Sequence, residues 1–182
     1  MRLFITSSQG QFGQTTISLT VTDANGLTDT QSFVYEIFTE ENFVTATDGY
    51  TTDYYGYDVA ISNHHAIIGA YYDDDKGSNS GSAYIFKQQG SHWVQSAKLV
   101  ANNGTANDYF GYAVALSGDY VIIGSYYNDN DVTDQGSAYI FKRHDSSWFQ
   151  EAYLTASDLF GCEVDISGNY AIIGAKNEDD SF

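Results

Sequence analysis

Side-chain oxygens collect in loops that recur along the chain. Asp73-Asp-Asp-Lys-Gly-Ser-Asn-Ser80 aligns with Asn128-Asp-Asn-Asp-Val-Thr-Asp-Gln135, and Glu178-Asp-Asp180 begins a third copy. Alternate positions offer ligands for a hard cation: Asp73, Asp75 and Asn79 in one copy, Asn128, Asn130 and Asp134 in the next. Calcium takes about six to eight such oxygens from a flexible loop, so calcium is the chemistry these residues suggest. The competing reading is a solvated acidic turn, because Asp, Asn, Gly and Ser favour turns anyway. The carboxylates do not hold constant positions between copies. A further oxygen-rich loop, Asp48-Gly-Tyr-Thr-Thr-Asp53, recurs as Asn103-Gly-Thr-Ala-Asn-Asp108 but is five residues shorter in its third copy. That shortening weighs against a shared metal role.

Catalysis has less support. An acid–base pair is a unique arrangement of two carboxylates, whereas these acidic groups come as imperfect copies. His64, His65, His92 and His144 form no ligand constellation and are expected at the surface. Cys162 stands where Tyr57 and Tyr112 stand in the other copies, as a small packing substitute rather than a reactive thiol. The chain is read as non-catalytic. Asn103-Gly-Thr105 is a glycosylation sequon for a eukaryotic secretory pathway.

The loops are positioned by a repeat. Asp53-Tyr-Tyr-Gly56 to Ile67-Ile-Gly-Ala-Tyr-Tyr72 returns as Asp108-Tyr-Phe-Gly111 to Ile122-Ile-Gly-Ser-Tyr-Tyr127. It returns again as Asp158-Leu-Phe-Gly161 to Ile172-Ile-Gly-Ala175. Gly56, Gly111 and Gly161 are spaced by 55 and then 50, as are Gly69, Gly124 and Gly174. A period near fifty signals a repeat architecture. Each unit reads as four short strands: Tyr57 to Ser62, His65 to Tyr72, Gly81 to Lys87 and His92 to Val100 in the first. The second offers Tyr112 to Ser117, Tyr120 to Tyr127, Gly136 to Lys142 and Ser147 to Leu154. β-Branched and aromatic residues fill every run, and no helical period appears. Trp93 and Trp148 recur at the same spacing and are expected to pack between units. Four repeated strands make a propeller blade, whose two apolar faces need neighbours.

Upstream, Thr15–Thr22 alternates Ile17, Leu19 and Val21 with polar residues, and Asp23-Ala-Asn-Gly26 supplies a tight turn. A partner strand follows from about Thr30 to Ile37, and Thr39-Glu-Glu-Asn42 is a polar hinge. The chain has 24 acidic and 7 basic side chains, a net charge of −17, which argues against a nucleic-acid partner. Sixteen tyrosines and no proline suit half-buried strands turned by Gly, Asn, Asp and Ser. No apolar run approaches a membrane span, and the N-terminus is too short in apolar residues for a signal peptide. Both ends read as cuts in a longer multidomain chain.

The Tyr55-Gly56/Ile68-Gly69-Ala70, Phe110-Gly111/Ile123-Gly124-Ser125 and Phe160-Gly161/Ile173-Gly174-Ala175 pairs resemble FG-GAP repeats, the blades of integrin-α-type β-propellers. The hairpin at 13–38 resembles the last strands of a cadherin-like or immunoglobulin-like sandwich. The fold expected is therefore all-β. Residues 1–38 are the tail of a sandwich, and 39–52 a linker with the end of a preceding repeat. Residues 53–107, 108–157 and 158–182 are three repeats, the last truncated. The resemblance implies an extracellular or cell-surface interaction and adhesion scaffold, often with calcium, whose partner is a protein or carbohydrate. A non-catalytic propeller module of a secreted hydrolase acting on polysaccharide or lipid is the alternative. The family's own calcium loop is not carried over: Ser62-Asn-His-His65, Ser117-Gly-Asp-Tyr120 and Ser167-Gly-Asn-Tyr170 have only hairpin length.

Overall fold

The computed structural model describes residues 13–22, 28–37, 44–128 and 135–176. The chain divides into two compact units, Met1–Phe43 and Val44–Phe182. In the first, β1 (Gly13–Thr22) pairs antiparallel with β2 (Thr28–Ile37), with Ile17 opposite Phe33 and Thr15 opposite Tyr35. The Asp23–Gly26 turn and the Thr39–Asn42 hinge lie outside the described residues.

The second unit is all-β among its described residues, a partial β-propeller. β3 (Val59–Ser62), β4 (His65–Ala70), β5 (Ser82–Gln89) and β6 (His92–Leu99) form one antiparallel sheet in chain order. β7 (Ala113–Ser117), β8 (Tyr120–Ser125), β9 (Ser137–His144) and β10 (Ser147–Thr155) repeat it. β11 (Glu163–Ser167) and β12 (Tyr170–Gly174) form a two-stranded third sheet. Each first hairpin turns on a left-handed residue: Asn63 at φ 53°, Gly118 at 60° and Gly168 at 58°. Asparagine tolerates that conformation, so Asn63 does the work of glycine in the first copy.

The central strands are buried on both faces. Ile67 packs with Ile85, Leu99, Phe110, Val121 and Ile123 in the core between the first two sheets. Its neighbour Ile68 points the other way, against Tyr84, Phe86, Val44 and Trp93. Ala115, Ile122 and Ala138 build a third core with Phe160, Val164 and Ile173. This two-sided burial explains why Ala66–Ala70 and Val121–Gly124 are continuous apolar runs. The outer strands β6 and β10 instead alternate half-buried and exposed residues. Each carries a bulge, opposite Ile85/Phe86 in one sheet and between Gln150 and Ala152 in the other. Trp93 and Trp148 are half-buried and pack against these cores.

The blades meet backbone to backbone. Residues 107–110 run beside the preceding blade, where the Asn107, Tyr109 and Phe110 amides donate to the carbonyls of Ser78, Asn79 and Ser80. A Cβ on Gly69 would stand 2.0 Å from the Gly111 carbonyl oxygen, and one on Gly124 would stand 2.0 Å from that of Gly161. No side chain fits there. Polar groups add cross-blade bonds: the Val114 amide donates to Asp58 at 2.7 Å and the Gly168 amide to the Ser117 hydroxyl at 3.1 Å. The Thr47 and Asn102 amides donate to Gln95 and Gln150, both at 3.0 Å.

Gly124→Ala is expected to cost about 3 kcal/mol in urea unfolding, because two backbones must separate. Gly90→Ala, at φ 64° with nothing within 4 Å of the added carbon, should cost only about 1 kcal/mol. Equal losses would show that close approach is not why glycine stands at 124.

Candidate functional site

The start of β3 and the end of β4 lie at one end of the first sheet, since the strands are antiparallel. The loops there create an acidic cavity of about 290 Å³ lined by Asp48, Tyr50, Thr52, Asp53, Asp73, Asp74 and Asp75. Asp53 caps its own loop, accepting from the Tyr50 amide at 2.7 Å. Asp108 repeats this with the Thr105 amide at 2.6 Å. Asp73 is buried and accepts from the Tyr84 hydroxyl at 2.8 Å.

The cavity already contains a cation. The Lys98 ammonium, carried by β6, lies 2.8 Å from Asp48, 2.9 Å from Asp73 and 2.7 Å from Asp75. Burial opposes its charge, but hydrogen bonds to Asp48, Asp75 and Asp73 outweigh it and hold the lysine above its ordinary range. Reciprocally, the Lys98 hydrogen bond holds the Asp48 carboxyl below its usual value.

At the position that corresponds to Asp73 in the second sheet stands an amide. Asn128 is fully buried. Its amide nitrogen donates to the Tyr139 hydroxyl at 3.1 Å, and its amide oxygen accepts from the Tyr153 hydroxyl at 3.1 Å. Tyr153 is also bonded to the Ser137 hydroxyl at 3.2 Å.

The six candidate cation ligands are thus variously placed. Asp73 and Asp75 come together, but around Lys98. Asn79 faces away to the next loop, donating from its side chain to Asn107 at 3.0 Å and from its backbone to Asp74 at 2.7 Å. Asn128 is committed to two tyrosines, and Asn130 and Asp134 lie outside the described residues, as does the Glu178–Asp180 copy. The four described candidates do not fit calcium as one ligand set: Asp73 and Asp75 face an ammonium, Asn128 accepts from a hydroxyl, and Asn79 is turned to Asn107. Among the described residues, no group of three or more His, Cys, Asp or Glu is gathered as metal ligands.

Tyrosines dominate the rest of this end. Tyr54, Tyr57, Tyr71 and Tyr72 return 55 residues later as Tyr109, Tyr112, Tyr126 and Tyr127. Their rings form one continuous surface across the two repeats. Tyr57 meets Tyr71 at 4.5 Å and Tyr112 at 4.8 Å; Tyr72 meets Tyr109 at 5.3 Å; Tyr112 meets Tyr126 at 4.0 Å. Tyr71 is buried beneath the others, while Tyr54, Tyr57 and Tyr127 are exposed. The third repeat has Leu159, Cys162 and Lys176 at three of these positions, so the surface stops there. Composition alone assigns tyrosine to strands; the structure places these eight in loops. The available signal was their common spacing with the glycines.

A second cavity, about 460 Å³, lies between the second and third sheets and has a single carboxylate, Glu151. That group stands 3.8 Å from Lys142 and 3.5 Å from His144. His65 corrects the expectation of surface histidines. It is buried in β4 beside Trp148. Burial first, then nearby Arg143 and Lys87, push its pKa down.

The FG-GAP repeat family matches residues 38–86, 93–141 and 148–181, more than half of the chain. The chain belongs to the FG-GAP repeat family. No curated protein matches it. The second match begins at Trp93, in β6, and ends at Phe141, in β9. The FG-GAP sequence unit therefore joins the last strand of one blade to three strands of the next, spanning the junction that Gly111 closes. FG-GAP repeats build β-propeller modules often involved in cell-surface interaction.

Burial, reinforced by neighbouring phenols, pushes Tyr71 and Tyr126 from the ordinary 10.0 up to about 12. The fold therefore favours the neutral phenols. Their stabilisation is complete below pH 10 and is lost as pH rises towards 12. Alkaline titration followed by tyrosinate absorbance and circular dichroism should show late-ionising tyrosines whose ionisation accompanies loss of β-structure. Ionisation of all tyrosines near pH 10 with the sheets intact would contradict this.

Proposed function

We propose that the chain is a non-catalytic interaction module of an extracellular or cell-surface protein, and that its contact surface is the tyrosine platform. The platform is the observation that carries the reading. Its rings hold one another, and Tyr54, Tyr57 and Tyr127 are exposed to solvent. Such aromatic surfaces give large contact area at low conformational cost. The acidic cavity adjoins it through the Tyr72 amide, which donates to the Asp53 carbonyl. With a net charge of −17, a neutral or basic protein or carbohydrate surface suits it better than a polyanion. A non-catalytic role is supported by the carboxylates themselves: Asp73 and Asp75 are ion-paired with Lys98, and Glu151 lies beside Lys142. The N-terminal hairpin supports placing this module after a cadherin-like or immunoglobulin-like sandwich domain in a longer chain.

The test is binding of the labelled chain to arrays of glycans and of extracellular protein domains. A saturable partner is expected, and Tyr54→Ser with Tyr127→Ser should weaken it at least about tenfold, as loss of a central aromatic contact does. Val94→Ser, at an exposed site on β6, should leave it unchanged. No binding on either array, or binding indifferent to the tyrosines, would overturn the reading.

A further inference from the structure

We infer that Lys98 is the resident cation of the acidic loop, closing the first blade in the place of a metal ion, and that the second blade reaches the same closure at that position with amides and phenols. Asp73 is buried while Asp48 and Asp75 are about half exposed. Three carboxylates facing one point repel one another, and the buried one is costly to keep charged unless a cation lies beside it. Lys98 supplies that cation from the blade's own outer strand, with its ammonium 2.7–2.9 Å from Asp48, Asp73 and Asp75.

The second repeat is an internal comparison. Positions 55 residues further on carry Asn103 for Asp48, Asn128 for Asp73 and Asn130 for Asp75, and Tyr153 for Lys98. Every carboxylate facing the ammonium has become an amide in the repeat where the ammonium is a phenol. Tyr84 and Tyr139, which touch Asp73 and Asn128, are the same residue. Strand register is also the same: Lys98 is opposite Tyr84, and Tyr153 is opposite Tyr139. The two sets are alternative solutions to one packing problem, the first ionic and the second of amides and phenols. Among the described residues, the carboxylates of Asp48, Asp73 and Asp75 already face a positive charge, and the second blade carries amides at positions 103 and 128.

The experiment is a thermal melt of the whole chain and two variants. The unaltered chain should melt at the same temperature in excess calcium chloride and in chelator. Lys98→Tyr alone leaves Asp73 buried without its cation and should lower the midpoint by about 5 °C or more. Asp73→Asn with Lys98→Tyr copies the second blade's pair and should return the midpoint to within about 2 °C of the original. If Lys98→Tyr does not fold, recovery in the double variant still reads the exchange. A midpoint of the unaltered chain that rises with calcium, as it must for an ion bound only by the folded state, would overturn the inference. So would a double variant no more stable than the single one.

Discussion

The architecture depends on one close approach, the contact of glycine backbone with backbone at each blade junction. Gly69 and Gly111, then Gly124 and Gly161, bring two main chains together at a distance no β-carbon allows. Hydrogen bonds follow from that approach: the Gly111 amide donates to the Gly124 carbonyl at 3.0 Å within its own blade, while residues 107–110 bond to the blade before. The FG segment thus belongs to two sheets at once. A blade whose central strands are buried on both faces cannot be stable with one face wet, and this junction sets the separation at which the next blade covers it.

The same geometry makes one end of the sheets available for recognition. Strand ends converge there, and the chain enters and leaves through loops whose backbone demands are met locally by Asp53, Asp108 and positive-φ residues. Once these are satisfied, side chains around them are free to vary. The first two repeats have used that freedom to build a tyrosine surface, and the third has not. A shared scaffold with unequal loops is how one fold serves different surfaces.

The charge exchange between repeats follows from the same logic. Position 73 is buried whatever residue occupies it, so its polar group must be matched. An aspartate demands a cation and an asparagine demands hydroxyls; each repeat holds one complete set. A mixture of the two would bury a charge unpaired.

The period, the four strands of each unit and the glycine pairs could be read from sequence, because strand alternation and left-handed turns are local requirements that leave their mark on neighbouring residues. His65 could not be placed correctly, since its turn neighbours suggest exposure while the packing of β4 against Trp148 buries it. Nor could the acidic loop. Asp73, Asp75 and Asn79 look like ligands when only their own loop is considered. Lys98 lies about two dozen positions further on and reaches them only because β6 returns antiparallel to β5. The tyrosines were visible as a composition but not as a surface, for their rings meet across a blade junction. Sequence by itself determined the repeat, the sheet pattern and the phase of the recurring glycines. Tertiary structure alone decided which charges pair and which aromatic rings stack, because those partners are set by strand pairing and blade packing between residues distant along the chain.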